Sequence, residues 1–178
     1  MSLLKQELPT LSDIALLADL LLNNGWMLAS AESCTGGLIA AACTDLAGSS
    51  AWFERGFVSY SNAAKTTLLG VDAALIEQHG AVSEPVVRAM AEGALRHSLA
   101  QVSVAVTGIA GPGGGSGTKP VGTVWLAWAW PGGVHSECCH FAGSRQAVRQ
   151  ATVQHAMARL LQLLHTGGPT AGAPSPKE

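Results

Sequence analysis

The chain has 178 residues, of which 48% are hydrophobic and 12% are charged, and its formal net charge is −2. This length and apolar content predict one folded domain and exclude a disordered chain, while the near-neutral charge excludes an extended nucleic-acid face, which needs clustered Lys and Arg. No apolar run is long enough to cross a membrane, and the first residues (MSLLKQEL) lack the pattern of a secretory signal, so we expect a cytoplasmic protein.

The first half of the chain alternates predicted helices and strands. Apolar residues at three- and four-residue spacing favour helices, and short apolar runs favour buried strands. Glycine after a periodic stretch marks a helix end. These signals predict helix 11–23, strand 26–30, helix 35–46, strand 53–60 and helix 62–69.

The second half continues with helix 72–78, a helix opened by Ser83 and Pro85, and a central strand over 102–107. Two strands, 121–130 and 134–141, flank a Pro-Gly-Gly turn and predict a hairpin. Ser144 is then expected to cap the last helix. The pattern predicts the α/β class: a single three-layer α/β/α domain of residues 1–165 with a mixed β-sheet, and a disordered tail over 166–178.

The stretch Ser-Ala-Glu-Ser-Cys-Thr-Gly-Gly, residues 30–37, lies where a strand is predicted to end and a helix to begin. Ligands of α/β sheets collect at such junctions. Ser33 is open to two interpretations: a helix cap, or a nucleophile near free N–H groups that favour developing negative charge. Cys34 is a third candidate, because a helix N-terminus lowers a thiol pKa, although no nearby histidine offers a base.

A serine nucleophile needs a base, and the segment Ser59–Lys65 supplies a candidate. If the helix starts at residue 62 or 63, Lys65 lies within about one turn of a strand end and can reach the cleft. A desolvated lysine can lose its proton near neutral pH and accept one from serine. Tyr60, the only tyrosine, can relay a proton or orient the pair. The alternative is an ordinary surface lysine beside a half-buried tyrosine.

A glycine-rich loop over residues 107–117 follows the predicted central strand. It lacks the Gly-Lys-Ser/Thr of a nucleotide-binding P-loop, and it does not open a helix as the dinucleotide fingerprint requires. Two interpretations remain, an anion-binding loop whose backbone approaches a ligand and a flexible connection into the hairpin. Arg145, at the start of the last helix, either faces an anionic ligand or is solvated.

The cysteines and histidines predict no metal site. The four cysteines have no C-x-x-C spacing and are expected to be reduced thiols. Cys138-Cys139-His140 is a weak metal motif, because adjacent strand residues point to opposite faces and the two thiols cannot readily share an ion.

Three motifs in this order and spacing resemble one family: AESCTGGLIA, FVSYSNAAK, and VTGIAGPGGG followed by TKPVGTV. The family is the C-terminal domain of the competence/damage-inducible protein CinA, with its standalone relatives, the nicotinamide-nucleotide amidohydrolases. The resemblance covers roughly residues 11–164, and the chain looks like a standalone version without the molybdopterin-binding-like domain of longer relatives. It implies hydrolysis of nicotinamide mononucleotide to nicotinic acid mononucleotide and ammonia, in pyridine nucleotide salvage, with no metal or organic cofactor.

The resemblance also implies catalytic roles. Ser33 would be the nucleophile, Lys65 its general base and Tyr60 the proton relay. The sequence leaves the role of Glu32 open between orienting Lys65 and binding substrate.

Further motif residues are implied to contact the substrate. Thr107 and Gly108, with the glycine loop, and Arg145 would hold the substrate and its anionic groups. Backbone N–H groups around residues 34–37 would stabilise the oxyanion of amide hydrolysis. The remaining substrate-binding positions are Cys34, Thr35, Gly36, Gly37 and Gly111.

Two other functions stay open at this level. One is a non-catalytic nucleotide-binding or regulatory module linked to competence or DNA-damage responses, which would need no Ser33–Lys65 pair. The other is a cysteine hydrolase that uses Cys34. Five tryptophans, three of them within 121–130, favour a homo-oligomer with a buried apolar face.

Overall fold

The chain alternates helices with the strands of one sheet, and the computed structural model describes residues 11–166. A short 3₁₀ turn, Ser49–Ala51, precedes the second strand. The strands are β1 (Leu28–Glu32), β2 (Phe53–Val58), β3 (Val102–Gly108), β4 (Thr123–Trp130) and β5 (Gly133–His140). The helices of the described range are α1 (Leu11–Asn24), α2 (Leu38–Thr44), α3 (Asn62–Leu69), α4 (Ala73–His79), α5 (Glu84–Arg96) and α6 (Arg145–Thr166).

The sheet has the strand order β2-β1-β3-β4-β5 and is mixed, as predicted. β1 pairs in parallel with both β2 and β3, whereas β4 is antiparallel to β3 and to β5. β5 therefore runs in the same direction as the three parallel strands. The carboxyl ends of β1, β2, β3 and β5 consequently meet at one edge of the sheet, where ligands bind in folds of this class.

The two faces of the sheet carry side chains of different size. Large residues such as Leu28, Val104 and Trp128 face α1, α2 and α6. The opposite face is lined mostly by alanines, among them Ala31 and Ala105, and packs against α3, α4 and α5. Both clusters are buried, which confirms the predicted three-layer α/β/α arrangement. The small side chains let the second helical layer approach the sheet closely.

Helix α5 also approaches the end of α3 closely, through Gly93. A Cβ at this position would overlap the backbone carbonyl of Leu69. Ser103 of β3 ties α5 to the sheet from the other side, because its hydroxyl donates to the Ala91 carbonyl at 2.7 Å. These contacts hold α3, the helix that carries Lys65, against the rest of the domain.

β1 begins at Leu28, two residues later than predicted. The reason is that Gly25 and Trp26 still close the end of α1: their N–H groups donate to the carbonyls of Leu22 (3.1 Å) and Leu21 (2.9 Å). The strand also ends two residues later than predicted, at Glu32. Ser33 is therefore the first residue beyond it.

α2 begins at Leu38, three residues later than predicted, and ends at Thr44. Gly36 and Gly37 have φ values of 58° and 101°, a left-handed conformation that glycine adopts without steric cost. Residues 33–37 therefore form a turn between strand and helix. β2 is also shorter than predicted and ends at Val58, which leaves Ser59 and Tyr60 in the connection to α3.

The predicted hairpin is present, with Trp130 paired to Gly133 across a two-residue turn. Trp128 lies in the core of its own domain and donates its indole N–H to the Ala156 carbonyl at 2.9 Å. Its burial thus needs no second subunit, and the homo-oligomer stays a prediction.

The last helix extends through Thr166, one residue past the expected end of the domain. The rest of the predicted disordered tail, 167–178, lies outside the described residues, so the prediction for it stays a prediction. Within residues 11–166, no helix combines the length and apolarity needed to traverse a bilayer.

We expect Gly93→Ala to destabilise the protein even though alanine favours a helix over glycine by about 1 kcal/mol. The added Cβ would overlap the Leu69 carbonyl, and overpacking of this kind costs about 1 to 3 kcal/mol. Urea denaturation would measure the loss, with Glu92→Ala on the exposed side of the same helix as the near-neutral control. A Gly93→Ala variant more stable than the parent would contradict the close α3–α5 packing.

Candidate active site

Ser33 lies between the carboxyl ends of two neighbouring strands. Its N–H donates to the Val106 carbonyl of β3 at 3.1 Å. On the other side, the Ser59 N–H donates to the carbonyl of Glu32 at 2.9 Å, which continues the pairing of β1 with β2. The backbone that carries Ser33 is therefore fixed from both sides by sheet hydrogen bonds.

The carboxylate of Glu32 holds the turn that follows Ser33. Glu32 is fully buried and accepts hydrogen bonds from the turn, from the first turn of α2 and from its own strand. Backbone N–H donors lie at 2.8 to 3.0 Å and the hydroxyl donors at 2.6 and 3.2 Å. The donors are Ser30 Oγ, Thr35 Oγ1 and the amides of Gly37, Ile39 and Ala40.

Glu32 therefore caps α2 from inside the sheet, which is the role that the helix-cap interpretation gave to Ser33. The N-cap residue by position is Gly37, which has no side chain to accept a hydrogen bond. Neither expected role of Glu32 has a supporting contact, because both carboxylate oxygens are bonded to the turn, the helix and Ser30. A buried charge is tolerated when it is this fully hydrogen-bonded.

Lys65 lies on the first turns of α3, whose N-cap Ser61 accepts from the Ala64 N–H. Its side chain is only 1% exposed. The amine Nζ lies 3.1 Å from Ser33 Oγ, 3.0 Å from the Ser59 carbonyl and 3.2 Å from the Tyr60 carbonyl. The structure thus brings together two residues that are far apart in sequence, as the base hypothesis requires.

All three hydrogen-bond partners of Lys65 Nζ are uncharged oxygens. Two N–H groups donate to the backbone carbonyls of Ser59 and Tyr60, and the third donates to Ser33 Oγ. Loss of that third proton would leave the lone pair of the neutral amine facing the Ser33 hydroxyl. Burial lowers the pKa of Lys65 below its ordinary value, because desolvation penalises the charged form. The geometry and the burial both favour proton transfer from Ser33 to Lys65.

Cys34 is a poor nucleophile in this setting. Burial raises the pKa of its thiol to about 11, so the reactive thiolate is scarce at neutral pH. Its backbone carbonyl accepts from Arg149 Nε at 3.1 Å, and the Thr35 carbonyl accepts from Arg149 Nη2 at 2.9 Å. Arg149 was not singled out from the sequence. The sequence feature that could have identified Arg149 is its four-residue spacing from Arg145, which places both residues on one face of α6.

The amides of the turn are only partly available to an oxyanion. The Gly36 N–H donates to the Ser33 carbonyl at 3.1 Å, and the Gly37 N–H donates to Glu32. The expectation of donors throughout residues 34–37 therefore narrows to the amides of Cys34 and Thr35, and the Cys34 N–H also interacts with its own thiol. Gly36 and Gly37 serve the shape of the turn.

A cleft of about 220 Å³ opens above Ser33 and Lys65. The ends of β1 and β3 form its floor, and the segment that follows α4 forms a wall. Thr107 is buried and fixes this wall, because its hydroxyl donates to the Ala81 carbonyl at 2.9 Å. Lining residues include Ser33, Cys34, Asn62, Lys65, Thr107, Gly108, Ala110 and Arg145.

Gly108 and Gly111 shape this end of the cleft. A Cβ on Gly108 would overlap Val124 of the adjacent strand, and Gly111, at a φ of 81°, would overlap Val121. The tip of the glycine loop, residues 112–118, is exposed. Only the first residues of the loop line the cleft.

Arg145 forms the rim of the cleft together with Tyr60. Its Nη1 donates to the Gly111 carbonyl at 2.8 Å, and Nη2 donates to the Tyr60 hydroxyl at 3.1 Å. The Tyr60 side chain is 59% exposed, and its contact with Lys65 is through the backbone carbonyl. The phenol therefore has a partner at the rim rather than at the Ser33–Lys65 pair, and the relay role has no direct hydrogen bond to support it.

Comparison with known proteins places these features in a family. The family model described as the CinA C-terminal domain matches residues 12–164. The chain is 61% identical over 131 residues to the nicotinamide-nucleotide amidohydrolase PncC of Enterobacter agglomerans, which covers 72% of this chain and 80% of that protein. It is 57% identical over 134 residues to a CinA-like protein of Akkermansia muciniphila, a match that covers 75% of this chain but only 32% of that longer protein.

A solved structure has the same fold. The competence damage-inducible protein A (ComA) of Klebsiella pneumoniae subsp. pneumoniae MGH 78578 superposes with a TM-score of 0.85 at 39% sequence identity, over 88% of this chain and 98% of that one. The family model and the relatives agree with the resemblance that the three motifs carry. The chain belongs to the CinA C-terminal domain family.

Proposed function

We propose that this protein is a serine amidohydrolase that converts nicotinamide mononucleotide to nicotinic acid mononucleotide and ammonia, with Ser33 as nucleophile and Lys65 as general base. The observation that carries the proposal is the 3.1 Å contact between Lys65 Nζ and Ser33 Oγ at the floor of an open cleft. The substrate class, a nicotinamide nucleotide, is taken from the name of the Enterobacter agglomerans relative at 61% identity, and the mononucleotide is the member of that class implied by the motif resemblance.

Acylation follows from the positions of these two side chains. The neutral amine of Lys65 takes the hydroxyl proton as Ser33 Oγ attacks the carboxamide carbon. Negative charge then develops on the carbonyl oxygen, within reach of the Cys34 and Thr35 amides. The Lys65 ammonium returns the proton to the departing nitrogen. Ammonia leaves, and a nicotinoyl ester on Ser33 remains.

Deacylation repeats the proton transfers with water. Lys65 has released its proton to ammonia and is again neutral, so it can take a proton from a water molecule that attacks the ester. The second tetrahedral intermediate collapses, and the proton on Lys65 returns to Ser33 Oγ. Nicotinic acid mononucleotide is released, and the hydrogen bonds from Lys65 to Ser59 and Tyr60 keep the amine aligned throughout.

Arg145 is proposed to bind the 5′-phosphate of the substrate. A guanidinium has five N–H donors, and the contacts with Gly111 and Tyr60 use two of them. The remaining donors can bind a phosphate. The planar, forked donors of a guanidinium match two phosphate oxygens, whereas an ammonium is a compact point charge. In this arrangement Tyr60 positions Arg145.

Replacement of Ser33 by alanine should reduce ammonia release from nicotinamide mononucleotide by at least about 10³-fold, because the nucleophile is lost. A coupled ammonia assay on the folded variant, checked by circular dichroism, measures the effect. Cys34→Ala is the matched control and should retain most of the activity. Loss of activity in Cys34→Ala with a working Ser33→Ala would assign the reaction to the thiol, and inactivity of the parent chain would favour a binding module.

Replacement of Lys65 by methionine should lower kcat by about 10² to 10⁴-fold, the usual contribution of a general base. In the parent, kcat/KM should rise about tenfold per pH unit and level off above the pKa of Lys65, which lies below its ordinary 10.5. Lys119→Met, a lysine outside the catalytic pair, should keep the parent rate and profile. A Lys65→Met variant with the same acidic limb would show that another group is the base.

Arg145→Ala should raise KM for nicotinamide mononucleotide at least about tenfold, with a smaller effect on kcat, because phosphate binding is lost while the catalytic pair is intact. Nicotinamide riboside lacks the phosphate and serves as the control substrate. Its kcat/KM should change much less. An equal loss for both compounds would contradict phosphate recognition by Arg145.

A further inference from the structure

A second group of reactive side chains lies away from the cleft, where the edge strand β5 meets the second half of α6. Alternation along the strand places His135, Glu137 and Cys139 on one face of β5. His155 of α6 meets them from the facing helix. Donor atoms of Glu137, Cys139 and His155 all lie within 4.8 Å of one another. We propose that these three residues, the β5–α6 triad, bind a zinc ion.

The donor atoms of the triad lie close to one another. His155 Nε2 lies 2.9 Å from Glu137 Oε2 and 3.5 Å from Cys139 Sγ. Without an ion, a proton on Nε2 can be shared between the carboxylate and the sulfur, both of which accept hydrogen bonds. A divalent cation would take the place of that proton, with the thiol deprotonated, and would bind all three donor atoms directly.

Two of the ligand separations can be compared with those around a tetrahedral ion. Zinc binds nitrogen and oxygen at about 2.0 Å and sulfur at about 2.3 Å, which gives ligand–ligand separations of about 3.3 to 3.6 Å. The Nε2–Sγ distance of 3.5 Å is within this range, and the Oε2–Nε2 distance of 2.9 Å needs to open by about half an ångström. A thiolate, an imidazole and a carboxylate are all established zinc donors.

Surrounding residues fix the orientation of the ligands. Glu137 Oε1 accepts from Arg159 Nε and lies 2.9 Å from His135 Nε2, so Oε2 is left to face the ion. Rings of Trp128 and Phe141 lie 6.3 and 6.0 Å from the imidazole of His155 and limit its rotation. Outer-shell contacts of this kind hold metal ligands in place. The charge of Arg159 balances Glu137 when no ion is bound.

The fourth position of the site is open. A groove of about 390 Å³, lined by Glu137, His155, Ala151 and Arg159, runs beside the triad. Water or another exchangeable ligand can reach the ion from this side. With Glu137 and Cys139 on the strand and His155 on the helix, the ion would connect β5 to α6. The ion would therefore hold the strand against the helix, and its ligand His155 lies on the same helix as Arg145 and Arg149.

Cobalt(II) is the probe for this site, because a cobalt–thiolate bond gives a charge-transfer band in the near ultraviolet. We expect the metal-free full-length chain to bind one equivalent of Co²⁺ with this band, and Zn²⁺ to displace it. Cys139→Ser should remove the band and weaken binding at least tenfold. Cys138→Ser is the matched control, because its neighbouring thiol is exposed and outside the triad, and it should bind as the parent does.

Thermal unfolding gives an independent measure, since an ion that binds only the folded state raises Tm. At the same concentration, Zn²⁺ should raise Tm of the parent and of Cys138→Ser equally, and raise Tm of Cys139→Ser much less. Absence of the cobalt band in the parent, a band that survives Cys139→Ser, or a band that depends on Cys138 would each overturn the proposal. Equal Tm shifts in the two serine variants would also overturn it.

Discussion

The candidate site depends on one buried carboxylate. Glu32 lies at the last position of β1, where its neighbours fix the backbone, and its two oxygens bind the donors that the turn and the first turn of α2 would otherwise leave unpaired. The first turn of a helix always exposes such donors. Because the glutamate satisfies them from below, Ser33 is free of the capping role and its hydroxyl can face Lys65. Glu32 thus supplies the helix cap that Ser33 would otherwise have to provide.

The burial of Lys65 has a similar logic. A buried amine is stable only if it is neutral or if its charged form is fully hydrogen-bonded. All three of its partners are uncharged oxygens, two of them from the backbone segment that links β2 to α3. That segment is short because Ser61 caps α3 immediately, and the far end of α3 is held by the close approach of Gly93 to Leu69. The contacts that bury the Lys65 amine therefore also direct it toward Ser33 Oγ.

Sequence patterns predicted the elements whose signals are local. The cap of helix 62–69, Ser61, and the glycine that ends it, Gly70, are its immediate neighbours in sequence, and the helix was predicted with its observed ends. The signal for the hairpin turn is local in the same way. The start of α2 was wrong by three residues, because its cap is Glu32, a residue in the preceding strand, and the two left-handed glycines form a turn instead of a first helical turn. The predicted strand ends indicated that Ser33 and Lys65 lie near the same edge of the sheet. They did not indicate the directions in which the two side chains point. The bond between Tyr60 and Arg145, 85 positions apart, and the clamp of Arg149 on the turn arise only from tertiary packing.

The attachment of Ser33 and Ser59 to neighbouring strand ends has a consequence for how this site tolerates change. The relative position of Ser33 and Ser59 is set by hydrogen bonds between adjacent strands, which are about 4.8 Å apart in every sheet, and not by the length of chain between them. In the connection from α2 to β2, Trp52 is buried and its carbonyl accepts from the Leu28 N–H, whereas residues 47 and 48 are exposed. Changes of length at these exposed residues would therefore leave the two serines where the sheet places them.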